Sequence, residues 1–71
     1  MKQKDIGTYY VGLQNGQKGR FTAFVSLMLG GSPSSWQHKF ILWAKDRQHR
    51  PISPIIANEL GYIITEGRWK P

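Results

Sequence analysis

Apolar side chains recur along this chain at intervals of three and four, and the polar stretches between them carry turn residues. That spacing gives a helix one buried face, because about 3.6 residues complete a turn. The first such segment, "DIGTYYVGL", places Ile6, Tyr9, Tyr10 and Leu13 this way, with Asp5 as a candidate N-cap. It is also rich in β-forming residues, so a strand is the alternative there. In "NGQKG", Asn15 and Gly16 suit a helix end in the left-handed conformation. From Lys18 or Arg20 a second pattern runs through Phe21, Phe24, Val25 and Met28 to Leu29, and Gly30-Gly31 ends it.

Ser32 then stands where a cap belongs, with Pro33 at the first helical position, where its missing N–H costs nothing. Trp36, Phe40 and Trp43 follow on one face and read as core. After the basic loop "KDRQHRP", Ser53-Pro54 repeats the device and starts a helix whose inner side is Ile56, Leu60, Ile63 and Ile64. Gly61 weakens it by about 1 kcal/mol relative to Ala. Gly67 closes it, and "RWKP" is a short tail. The expected fold is therefore all-α, a single small domain over residues 1–71 with three helices plus a short first one. Its parts are 1–17 (first helix and turn), the pair 18–30 and 33–46, the fourth helix 53–66, and the tail 67–71.

Composition narrows the chemistry. A chain of 71 residues has room for one core, so its three Trp, three Tyr and three Phe should be recruited into it. The absence of cysteine excludes disulfides and thiolate metal sites, and the two His show no metal-ligand spacing. No metal or other cofactor is expected. "MKQKDIG" has the charge of a signal peptide without its apolar stretch, and no apolar run approaches the roughly 18 residues that span a bilayer. These features point to a soluble, cytoplasmic protein without a membrane partner. The net charge of +6 suggests nucleic acid, an anionic surface or an acidic protein as partner.

Catalytic patterns are poor. "GGSPS" lacks the final glycine of a nucleophile elbow, and "NGQKGR" is too short for a phosphate-binding P-loop. The four carboxylates are scattered. No catalytic residue and no small-molecule substrate is expected.

Two helices joined by a short glycine-containing turn have the form of a helix-turn-helix, here with Gly30, Gly31 and Ser32 as the turn and Ser26 as the small residue at the crossing. Over residues 18–66 the chain resembles helix-turn-helix domains of the lambda-repressor and Cro-like kind. The resemblance rests on Ser26, Leu29-Gly30, Ser32, Trp36 and a fourth helix from Ile55 to Ile64. Gly31 departs from it, standing where that family usually has an apolar residue filling the space under the turn. The resemblance implies a double-stranded DNA partner, with residues 33–46 as recognition helix and Pro33, Ser34, Ser35, Gln37 and His38 near base edges.

Helical geometry agrees. With Trp36 at the centre of the buried face, Ser34, His38, Ile41 and Lys45 lie towards the opposite side and Gln37 flanks them. A helix fits the major groove, where Gln pairs with adenine and Ser with several edges. Ile41 and Leu42 could meet thymine methyls, pack on the fourth helix or form a dimer contact. The candidate base-reading residues are thus Ser34, Ser35, Gln37, His38 and Ile41. The candidate phosphate contacts are Lys18, Arg20, Lys39, Lys45, Arg47 and Arg50. The plain alternative is a solvated basic loop, cations being favourable at a helix C-terminus. A homodimer on a two-fold site is one arrangement that would add affinity. The rival reading is a small basic interaction module or inhibitor that docks Ile41, Leu42 and Trp69 on an acidic partner. RNA binding ranks below both, because Trp36 and Trp43 are assigned to the core.

Overall fold

The structure, a computed structural model, describes residues 2–47 and 52–70. Among these are four helices and no strand: α1 (Gln3–Val11), α2 (Asn15–Leu29), α3 (Pro33–Ala44) and α4 (Pro54–Glu66). The first segment is therefore a helix and not the alternative strand. Its N-cap is Lys2 instead of Asp5. Asp5 sits in the first turn and accepts the Lys2 backbone N–H at 3.3 Å, where its negative charge also suits the helix dipole.

Asn15 and Gly16 do not end α1 but begin α2, earlier than the expected Lys18. Gln14 is extended, and the Gln17 side-chain oxygen accepts its N–H at 3.2 Å. A side-chain acceptor at the third helical position is what turns this polar stretch into a start. Both Ser-Pro starts form as expected. The Ser32 hydroxyl accepts from Ser35 N–H at 3.2 Å, and that of Ser53 from Ile55 N–H at 3.1 Å. Gly67 ends α4 in the left-handed conformation, φ +64°. Helix α3 stops at Ala44, short of residue 46, because Lys45 and Asp46 turn away and Asp46 takes φ +57°.

The shortest helix is the central one: α1 packs on each of the others, and most extensively on α3. The close approach is at Gly7. A Cβ there would fall 2.5 Å from the Phe40 carbonyl oxygen and against the Ala44 backbone nitrogen. The expected small residue at the crossing, Ser26, is only half-buried and turns its hydroxyl back to the Ala23 carbonyl at 2.9 Å.

Trp36, Phe40 and Trp43 are buried as expected, in a run of aromatic contacts that continues through Phe21 to Tyr10. Trp36 lies against the Gly30-Gly31 turn. Its indole Nε1–H donates to the Gly30 carbonyl at 2.7 Å.

Two further expectations fail. Trp69, assigned to a free tail, is 4% exposed. It packs its ring 5.3 Å from Phe21 and donates its Nε1–H to the Tyr9 hydroxyl at 3.2 Å. It is therefore not available to a docking patch. Met28 falls outside the core at 55% exposed, beside Leu27 at 80%. The inner face of α2 is instead Phe21, Thr22 and Val25. Thr22 can be buried because its hydroxyl hydrogen-bonds within the helix, to the Lys18 and Gly19 carbonyls.

Candidate nucleic-acid interface

Packing α1 against both α2 and α3 leaves a groove where the end of α1 meets the start of α2 and the outer side of α3. Tyr10, Val11, Ile41 and Ala44 supply its apolar surface, and Asn15, Lys18, Gln37 and Lys45 its polar groups. Its volume is about 540 Å³. Each side chain arrives by a simple route. Gln37, Ile41 and Lys45 recur every four residues along α3 and so share one stripe, the last of them just past the helix end. Lys18 lies in the first turns of α2, with its Nζ 5.8 Å from the centre of the Tyr10 ring. Tyr10 lies at the base of α1 beneath it, and burial pushes its phenol up from the ordinary value, so it stays neutral.

The groove therefore unites four of the candidates: Gln37 and Ile41 for base edges, Lys18 and Lys45 for phosphate. Ile41 is half-buried and packs on the core edge instead of standing on a fully open face. Ser34, Ser35 and His38 are exposed near the start of α3 but do not line the groove. The Ser35 N–H is engaged in the cap. Lys39 is exposed with its Nζ 4.6 Å from the centre of the Trp36 ring, a cation–π contact that holds its charge near the turn. Arg47 is exposed beyond α3, and its backbone N–H donates to the Leu42 carbonyl at 2.9 Å. Arg20 faces a different groove. Arg50 and His49 lie outside the described residues.

Sequence reasoning missed Tyr10 and Val11 as walls of this groove. Tyr10 is nearly buried and belongs to the α1 stripe, so periodicity assigns it to the core alone. Only the proximity of α1 to α3, fixed at Gly7, brings its edge to the surface beside Gln37. Val11 carries a weaker clue: it is the apolar residue of α1 left out of the three-and-four pattern, and it is half exposed.

Compared with known proteins, the chain matches no family model, no curated protein and no solved structure. No helix among the described residues is long and apolar enough to cross a membrane.

Proposed function

We propose that this protein binds double-stranded DNA sequence-specifically and acts as a small transcriptional regulator of the lambda-repressor-like kind. In this reading α3 lies in the major groove and Gln37 pairs with an adenine edge, while Ile41 offers an apolar surface to a thymine methyl. Lys18 and Lys45 sit on the phosphates to either side. The observation that carries the reading is the groove that brings Gln37 and Ile41 of α3 together with Lys18 of α2 and Lys45 just past α3. An amide beside an apolar group, flanked by cations, matches the chemistry of a base edge between two backbones. A homodimer on a two-fold site would add the affinity that one small module lacks.

Selection of bound sequences from random duplex DNA tests this directly and should return a preferred site. On that site Gln37→Ala should cost about 1–3 kcal/mol, while binding to random duplex changes little. No enrichment, or a preference that survives loss of Gln37, would remove α3 as the reading element.

The exposed Leu27 and Met28 favour a second reading, docking on an acidic protein. That reading expects Leu27→Ser to abolish partner binding, whereas the DNA reading expects the selected site to be bound as before.

A further inference from the structure

A second groove lies on the other side of the first turns of α2. Gln14, Gly16, Gln17 and Arg20 line it from α2 and its cap, and Trp69 and Lys70 from the far end of the described chain. From this arrangement we infer a second phosphate-binding site, in which Arg20 and Lys70 hold the DNA backbone beyond the α3 groove. The backbone then runs over the first turns of α2, from Lys45 and Lys18 on one side to Arg20 and Lys70 on the other. This inference rests on the DNA-binding reading and extends its footprint.

Several observations converge on an anion. The two cations come from elements distant in sequence, yet one groove of about 480 Å³ takes both. No carboxylate among the described residues lines it. The acids nearest in sequence are engaged elsewhere: Glu66 pairs with Arg68 at 2.6 Å, and Asp5 takes the Lys2 N–H. Arg68 is paired with Glu66, whereas Arg20 and Lys70 have no ion pair among the described residues. Gly16 has open space where a Cβ would stand, so a ligand can come close to the backbone there. The side-chain amides of Gln14 and Gln17 add donors.

Trp69 decides between phosphate and base. A base would need a free aromatic face on which to stack. The Trp69 ring is buried, held by its bond to the Tyr9 hydroxyl and set edge-to-face against Tyr9 and Phe21. Lys70 places its Nζ 5.7 Å from the centre of that ring. The indole is thus a rigid wall that positions a cation, and the group it favours is the phosphate.

The test is the salt dependence of binding to a labelled random-sequence duplex, which reports phosphate contacts independently of base reading. The double variant Arg20→Gln with Lys70→Gln should reduce the slope of log affinity against log salt by about two units. Arg68→Gln removes a neighbouring but paired cation and should leave the slope as it is. An unchanged slope in the double variant, with helicity retained, would overturn the inference. Should the double variant lose its helical circular dichroism, Lys70→Gln alone decides, with an expected reduction of about one unit.

The two readings fail separately. A selected site bound with a slope indifferent to Arg20 and Lys70 sinks the second groove and spares the base-reading helix. A slope that depends on them, without any preferred site, does the reverse. A wild-type chain that binds no duplex removes both. If the double variant loses binding to vesicles of phosphatidylserine and phosphatidylcholine while duplex binding stays intact, the groove belongs to a lipid headgroup and the inference fails.

Discussion

At Gly7, α1 lies so close to α3 that an added Cβ would fall 2.5 Å from the Phe40 carbonyl oxygen, whereas at Gly31 the chain turns into α3 with φ +89° and only the tip of Trp36 nearby. Both glycines fix how a neighbour joins α3, but for different physical reasons. The first is needed for volume: two helix backbones meet where any side chain would stand. The second is needed for conformation, since a Cβ in that backbone region clashes with its own chain. The contrast shows that the steric demand that seats α1, and with it the wall of the Gln37 groove, sits inside a helix. The turn that looks like the organising device sets chain direction.

The largest effect should come from the side chain that fills the turn. Trp36→Ala removes a buried indole together with its bond to the Gly30 carbonyl, and should destabilise by about 3–5 kcal/mol in urea denaturation. A loss under about 1 kcal/mol would mean the turn stands without its filling. Next is Gly7→Ala. An exposed helix position gains about 1 kcal/mol from this change. Here the methyl meets backbone that cannot rotate away, and a net loss of about 1–3 kcal/mol is expected. Stability equal to or above wild type would show the α1–α3 contact to be loose.

Gly31→Ala should cost about 1–2 kcal/mol from its left-handed conformation. Gly30→Ala sharpens this, because Gly30 has the same φ but nothing within reach of its Cβ, while that of Gly31 would lie 3.3 Å from Trp36 Nε1. The difference between the two variants combines the Trp36 contact with any difference in backbone strain, Gly30 lying at ψ 172°. The smallest change, and of opposite sign, is Gly19→Ala, whose Cβ would meet open space. It should stabilise by about 0.5–1 kcal/mol. If Gly7→Ala and Gly19→Ala shift the denaturation midpoint in the same direction, the volume demand assigned to Gly7 is gone.

What the sequence reveals follows the same division. Local devices were legible: Ser32-Pro33, Ser53-Pro54 and Gly67 act through hydrogen bonds and dihedral angles within a few residues, and each forms as the pattern implies. Asn15-Gly16 misled because both residues tolerate a helix end. The deciding acceptor, Gln17, is a weak cue until its bond to the Gln14 N–H is seen. Gly7 reads from sequence only as a poor helix former, since nothing local announces the α3 backbone against it. Trp69 sits in four residues too short to show a period, so its place beside Phe21 was hidden. The site divides likewise. Gln37, Ile41 and Lys45 share a stripe that spacing alone supplies, but Lys18 and Tyr10 join them only through the packing of α1.

The bond between Tyr9 and Trp69 joins residues 60 apart in a fold whose other contacts are mostly shorter in range. For a chain made from its N-terminus onwards, this sets an order of events. Helix α1 is synthesised first, yet at 9 residues it is too short to persist alone. Its Tyr9 can meet Phe21 earlier, but its hydroxyl has no indole donor until Trp69 has been added. The Tyr9 and Phe21 surface that Trp69 covers therefore stays open until residue 69 has been added. A nascent chain halted before residue 69 would present Tyr9 and Phe21 without their cover.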